Sequence, residues 1–213
     1  MNKTIAILGI HTGIGKTVAS AVMAEALDAD YWKPVQAGLE ERDSTFVSSM
    51  ITAGAARVHP EAVLLKLPMS PHAAAAAEDI EIDVETIIVP APGRLVLLET
   101  AGGVLSPMSA TTTMADFVAH IGCPAILVSA NYLGSINHTL MSIEVIRQRN
   151  IPLLGMVMSG DPHISSEEFI ESYSGVPIIA RIPRIAEMTP AAIATQAAAI
   201  REALTEKINA WQR

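Results

Sequence analysis

KTIAILGIHTGIGKTVASAVMAEAL, residues 3–27, decides how the rest of the sequence is read. Its opening, Thr4 to Ile10, is a near-continuous apolar run of the kind that forms a parallel strand buried on both faces. The run breaks into a glycine-rich turn, and a helical pattern begins at Lys16. A strand, a glycine-rich turn and a helix opening on Gly15-Lys16-Thr17 make a phosphate cradle: backbone N–H groups converge, and the helix N-terminus adds partial positive charge. In such a cradle Lys16 reaches the β/γ-phosphates and the Thr17 hydroxyl faces a Mg²⁺ ion. The spacing is one residue longer than the standard phosphate loop, whose first glycine would fall at Ile10; here it is Gly9, with Gly13 added inside the loop.

Composition narrows the partners. The chain has 213 residues, enough for one good core, and half of them are hydrophobic. A formal net charge of −8 argues against a nucleic-acid partner, which would need a basic face, and suits small-molecule chemistry. No apolar run approaches a membrane span, and Thr4–Ile10 is too short for a signal peptide. The single cysteine, Cys123, lies in an apolar stretch and is expected to be a buried thiol; a reducing cytoplasm is the expected compartment. The six histidines and one cysteine show no zinc-ligand spacing.

Outward from the opening stretch, Tyr31–Gln36 reads as a short second strand, and Ser44–Ala56 as a helix with Phe46, Val47, Met50 and Ile51 at helical spacing. Asp43 stands where that helix would be capped, and Ser70 is a candidate cap for the alanine run after Pro71-His72. From Arg94 strands and helices alternate. Strands are expected over Leu95–Glu99, Ala125–Ala130, Leu153–Met158 and Val176–Ile182. Helices are expected around Met114–His120, Ser135–Arg149, Ser165–Tyr173 and Pro190–Trp211. This pattern predicts an α/β fold with a mostly parallel sheet and helices on both faces, as one domain over residues 1–213.

In such sheets ligands gather at the carboxyl ends of the strands, which singles out a few polar residues. Glu99 closes an apolar strand before a Gly-Gly turn, the position of an acidic partner for a nucleotide-bound Mg²⁺. Thr17, Asp43 and Glu99, with phosphate oxygens, make an oxygen donor set of the kind Mg²⁺ takes. Lys33, inside an apolar stretch and before a proline, is costly to bury without an anion nearby, and it is one of only five lysines. His138 follows a strand-to-helix turn, Leu133-Gly134-Ser135-Ile136-Asn137, whose helix N-terminus suits a carboxylate or phosphate.

These motifs together resemble the dethiobiotin synthetase family, of P-loop NTPase fold. The resemblance rests on Gly9–Thr17, Lys33-Pro34-Val35, Asp43, Ser70-Pro71-His72, Glu99–Gly103 and Leu133–His138, in that order along nearly the whole chain. It implies an ATP- and Mg²⁺-dependent cyclo-ligase acting on 7,8-diaminononanoate (diaminopelargonate) and CO2 through a carbamate and its mixed anhydride with phosphate. It also implies roles. Gly13, Ile14, Gly15, Lys16, Thr17 and Val18 would bind the nucleotide, and Thr17, Asp43 and Glu99 the metal. Thr12, Lys16 and Lys33 would be the catalytic residues, Lys33 holding the carbamate while Thr12 and Lys16 bridge it to the phosphates. Lys33, Ala37, Leu133, Gly134, Ile136 and Asn137 would bind the substrate, the turn reaching the substrate of a partner subunit in a homodimer.

The chain departs from the family pattern in four places, the phosphate loop, Ala37, Ser159-Gly160 and Thr100. His11 and Gly13 stand where acidic residues are usual. Ala37 replaces a hydroxyl residue, removing one carbamate hydrogen bond worth roughly 1 kcal/mol. Ser159-Gly160 replace an asparagine that reads adenine, which opens the base preference, and Thr100 replaces a glycine. Two other readings compete: another P-loop ligase or synthetase, and a dimeric partition-type ATPase switch. The switch proteins carry an extra lysine where this chain has His11.

Overall fold

β1 (Thr4–Gly9) lies in the middle of a seven-stranded sheet and is buried along its whole length. The structure, a computed structural model, describes residues 3–91 and 93–212; Met1, Asn2, Pro92 and Arg213 of the expected domain lie outside them. The other strands of this sheet are β2 (Asp30–Trp32), β4 (Val58–His59), β6 (Val96–Glu99), β7 (Ala125–Ala130), β8 (Leu153–Ser159) and β9 (Ile178–Ile182). Their order is β4-β2-β6-β1-β7-β8-β9, with every neighbouring pair parallel. β6 flanks β1 on one side, pairing Ile7 with Glu99, and β7 on the other, pairing Gly9 with Val128. Early strands run out to the β4 edge and later ones to the β9 edge. The winding therefore changes direction beside β1, where a crevice opens at the strand ends.

The expected second strand is in fact two. After β2 the chain leaves the main sheet at Lys33-Pro34, and β3 (Val35–Ala37) pairs instead with β5 (Val63–Leu65) in a small parallel sheet. Pro34 has no N–H for the ladder, and its carbonyl accepts from the N–H groups of Ala62 and Val63. Lys33 thus sits at the break between two strands, not inside one.

Helix α1 (Lys16–Leu27) packs with α2 (Asp43–Met50) and α7 (Pro190–Gln212). Val22 and Met23 of α1 are fully buried, and each such side chain contributes roughly 1.5–3 kcal/mol, so tertiary packing holds α1 in place. The expected helix over Ser44–Ala56 is shorter. It stops at Met50, and Gly54–Arg57 forms a 3₁₀ turn. Asp43 is its first helical residue with Arg42 in the cap position, so the expected capping role of Asp43 is not seen. α3 (Pro71–Ala77) follows Ser70, whose hydroxyl pairs with His72 Nδ1 at 3.1 Å and caps nothing.

α4 (Met114–Ile121) opens on a capping box formed by Thr113 and Asp116. Its Met114 and Phe117 pack with Val96 and Leu98, whereas Leu97 between them faces the cluster that contains α1. This alternation along β6 puts α1 and α4 on opposite faces of the sheet. α5 (Ser135–Gln148) and α6 (Ile164–Ser174) pack against each other. Cys123 is buried, and burial pushes its thiol up to about 12, so it stays protonated and inert. Among the described residues no helix is long and apolar enough to cross a membrane.

Candidate active site

The loop between β1 and α1 follows from its glycines. Lys16 folds back over Gly9, where a Cβ would lie 2.6 Å from the lysine Cδ and 2.9 Å from Nζ, so only glycine leaves room for that side chain. Gly15 has φ 87°, in the left-handed region, and a Cβ there would meet the Ser159 hydroxyl at 2.5 Å. The Lys16 amine donates to the His11 carbonyl at 3.3 Å. Desolvation by burial lowers it to about 8, Glu99 opposing and the Lys33 charge adding to the fall.

Beside this loop the strand ends bring together four of the predicted residues. Thr17 Oγ1 lies 2.9 Å from Asp43 Oδ1 and 2.9 Å from Glu99 Oε1. Lys33 Nζ is ion-paired with Asp43 Oδ2 and stands 3.9 Å from Glu99 Oε1. Burial is severe: Glu99 is 1% exposed, Lys16 and Lys33 7% each. Desolvation lowers the Lys33 pKa, with Glu99 and then Glu61 opposing. Lys33 and Glu99 are tolerable there because each meets a partner, Asp43 for one and Thr17 and Tyr31 for the other, whereas Lys16 has the His11 carbonyl.

A cavity of about 420 Å³ opens over Lys33, with Thr12, Gln36, Ala37, Asp43, Ser70 and Ser106 in its wall. Thr12 is thereby placed beside Lys33, and Ala37 lines the same space. Gln36 braces this wall, its amide donating to the Ala37 and Gly38 carbonyls and its oxygen accepting from Asp43 N–H at 3.4 Å. Gly13, Ile14 and Val18 complete the loop, and Val18 borders a second cavity of about 720 Å³ against Thr17 and Phe46.

The turn from Leu133 to Asn137 stands apart. Leu133, Gly134, Ile136 and Asn137 do not line the Lys33 cavity of this chain. Gly134 is left-handed (φ 96°) and opens α5, Leu133 is fully exposed, and Asn137 Nδ2 lies 3.3 Å from Met141 Sδ. His138 Nδ1 pairs with the Tyr132 hydroxyl at 2.7 Å, and its ring stacks toward His11 of the phosphate loop, centroids 6.2 Å apart. The turn and the loop are neighbours, and a cavity of about 450 Å³ lies between Ile10, His11 and Thr12 of the loop and His138 and Met141 of α5.

Tyr31 is missed by the sequence reading. It is fully buried on β2, and its hydroxyl donates to Glu99 Oε2 at 3.0 Å. Burial and then the Glu99 charge push its pKa well above the ordinary value, so it remains a donor. The available signal was its place two residues before Lys33, since residues i and i+2 of an extended chain share a face.

The donor set fits a magnesium ion. Thr17, Asp43 and Glu99 offer hard oxygens, and among the described residues no group of three His, Cys, Asp or Glu gathers as a closed protein cage would need. Such an ion would draw its remaining ligands from phosphate and water.

Comparison with known proteins bears on this arrangement. The AAA-domain family model matches residues 3–192. An ATP-dependent dethiobiotin synthetase BioD of Brucella anthropi is 44% identical over 194 residues, covering 91% of this chain and 92% of that protein. One from Rhodopseudomonas palustris (strain TIE-1) is 43% identical over the same shares, and one from Paramagnetospirillum magneticum 41% over 188 residues, 88% and 91% of the two chains. Among solved structures, the Pyrococcus furiosus cell division ATPase MinD superposes with a TM-score of 0.63 over 97% of this chain and 99% of its own, at 17% identity. A ParA family ATPase from Chlorobium tepidum reaches 0.57 over 97% and 93%, at 13% identity. At such identities the structural likeness speaks to the fold alone. Identity above 40% along nine-tenths of both chains carries more: the protein belongs to the ATP-dependent dethiobiotin synthetase family, within the AAA-domain proteins.

Proposed function

We propose that this chain closes the ureido ring of dethiobiotin from 7,8-diaminononanoate and CO2 at the expense of ATP, as a homodimer in the cytoplasm. The observation that carries the reading is Lys33, a buried amine tied to Asp43 one contact from Thr17 of the phosphate loop, facing a cavity that also holds Thr12.

The chemistry demands such an arrangement. One amine of the substrate adds to CO2 and loses a proton, giving a carbamate anion. That anion must then approach a triphosphate that is itself anionic, so fixed positive charge has to stand where the two meet. Lys33 holds the carbamate from the cavity side. Lys16 and the loop N–H groups hold the phosphates, with Thr12 between. A carbamate oxygen attacks the γ-phosphorus and ADP leaves; the second amine, as the neutral base, then attacks the carbonyl carbon, loses a proton to solvent and expels phosphate as the ring closes. A magnesium ion on Thr17, Asp43 and Glu99, when bound, supplies neutralising charge to the phosphates. Ala37 offers the carbamate no hydroxyl, so Lys33 carries more of that contact here.

The test uses purified protein with ATP, Mg²⁺, bicarbonate and the diamine. Dethiobiotin should form with stoichiometric phosphate. Phosphate release indifferent to the diamine would sink the proposal.

A further inference from the structure

The two carboxylates beside Thr17 are held in the same way. Each has one oxygen 2.9 Å from Thr17 Oγ1, Asp43 through Oδ1 and Glu99 through Oε1, and the single hydroxyl proton serves one of them at a time. Each has its other oxygen engaged by a donor from a single short stretch: Lys33 Nζ takes Asp43 Oδ2, and the Tyr31 hydroxyl takes Glu99 Oε2 at 3.0 Å. Tyr31 and Glu99 are on hydrogen-bonded neighbouring strands, with Tyr31 opposite Leu97 in the register. Tyr31 is 0% exposed and Glu99 1%, so water is excluded from that bond and the carboxylate is held against rotation.

We propose that Tyr31 is a positioning residue that sets which divalent cation the site accepts, by leaving Glu99 a single oxygen to present beside Thr17. The inference rests on the reading that Thr17, Asp43 and Glu99 hold the metal. Its physical basis is coordination number. Mg²⁺ takes six ligands in near-ideal octahedral geometry, most of them water and phosphate, and is satisfied by one oxygen per carboxylate. Ca²⁺ takes six to eight and readily grips a carboxylate by both oxygens. With Oε2 occupied, the two-oxygen grip is closed on Glu99; with Asp43 Oδ2 occupied by Lys33, it is closed on the other side. Removing the phenol oxygen frees Oε2 and opens room for the larger ion. Lys33 does the same for Asp43 but also serves the substrate, which makes Tyr31 the cleaner position to vary.

The experiment is calorimetric. A non-hydrolysable ATP analogue is titrated into unsubstituted protein and Tyr31→Phe, with Mg²⁺, with Ca²⁺ and with neither, and thermal melting is followed in parallel. The unsubstituted protein should bind the analogue more tightly with Mg²⁺ than with Ca²⁺. In Tyr31→Phe the Mg²⁺:Ca²⁺ preference should narrow about tenfold, the scale of one hydrogen bond to a charged group, while cation-free binding stays close to the original and melting falls, because Glu99 Oε2 loses its buried partner. An unchanged preference in a folded Tyr31→Phe protein overturns the inference and leaves the metal reading standing. No cation effect on the unsubstituted protein overturns the metal reading, and this inference with it. Should Tyr31→Phe fail to fold, 3-fluorotyrosine in a Tyr132→Phe/Tyr173→Phe background leaves a single ¹⁹F signal at Tyr31. That signal should keep the shift of a phenol bonded to carboxylate in both the Mg²⁺- and Ca²⁺-loaded nucleotide complexes, and loss of that bond in the Ca²⁺ complex overturns the inference.

Discussion

The carboxyl edge of the sheet is built differently on the two sides of β1. On the β6–β2 side, buried Glu99, Tyr31 and Lys33 join half-buried Asp43 and Thr17 in one continuous set of bonds. On the β7–β8 side, Leu133 is fully exposed, Asn131 Oδ1 is buried with no hydrogen-bond partner among the described residues, and the Ser159 side chain rests by Gly15. Buried charge is costly and geometrically fixed, and the chain places it where, in our reading, carbamate and phosphate would react. The other side also holds a buried carboxylate, Glu167, tied to Arg181 and Asn131, but its turn faces outward. In our reading the first half is ordered by this chain alone, while the outward turn is left for parts supplied from outside, nucleotide base or second subunit.

The first test falls on the charged side, through its two lysines. Lys33→Ala should lower diamine-dependent turnover by about 10²–10³-fold, the cost of removing one preorganised charge partner, with nucleotide affinity little changed. Lys16→Ala should instead weaken nucleotide binding. Calorimetry that finds equal losses of nucleotide binding in both variants would merge the two lysines into one role.

The second concerns the exposed turn. Asn137→Asp is nearly isosteric, and an acid in a first helical turn does not harm folding. Beside a substrate carboxylate it should inactivate the enzyme, as should Lys16→Ala. If each site takes Lys16 from one chain and the turn from the other, re-equilibrated mixtures of the two dead proteins contain about half hybrids, each with one intact site, and recover roughly a quarter of full activity. No recovery, with subunit exchange verified by mass, would assign turn and lysine of one site to the same chain.

The smallest effect tests the base end. With Ser159-Gly160 where the resemblance implies an asparagine, discrimination among nucleoside triphosphates should stay within about tenfold, one polar pair's worth. A strict ATP requirement, with GTP and CTP inert, would show that other residues read the base.

Much of this architecture is legible in the sequence because it depends on short-range pattern. β1, the loop glycines and α1 are contiguous, and apolar runs mark β6, β7 and β8. Lys33 and Glu99 stand out because charge in an apolar stretch is costly. What pattern misses is long-range. The chain's departure at Pro34 into a second sheet depends on carbonyl partners at Ala62 and Val63. Asp43 resembles a cap because it precedes a helix; only the fold brings Thr17 and Lys33 to its oxygens. Tyr31 reads as an ordinary strand aromatic until Glu99, 68 residues on, arrives beside its hydroxyl.

The Lys16 amine, folded over Gly9 and lowered to about 8, gives the nucleotide a proton stoichiometry. Below that pH the empty loop already carries its charge, and phosphates bind without exchange with the buffer. Above it the amine is neutral until a polyanion arrives and raises its pKa again, so each binding event draws a proton from solution and affinity falls toward about tenfold per pH unit. Nucleotide titrations at alkaline pH in buffers of unlike ionisation enthalpy would register the uptake as a buffer-dependent heat, absent in Lys16→Met. The loop thus responds to alkalinity through a lysine, with no histidine required.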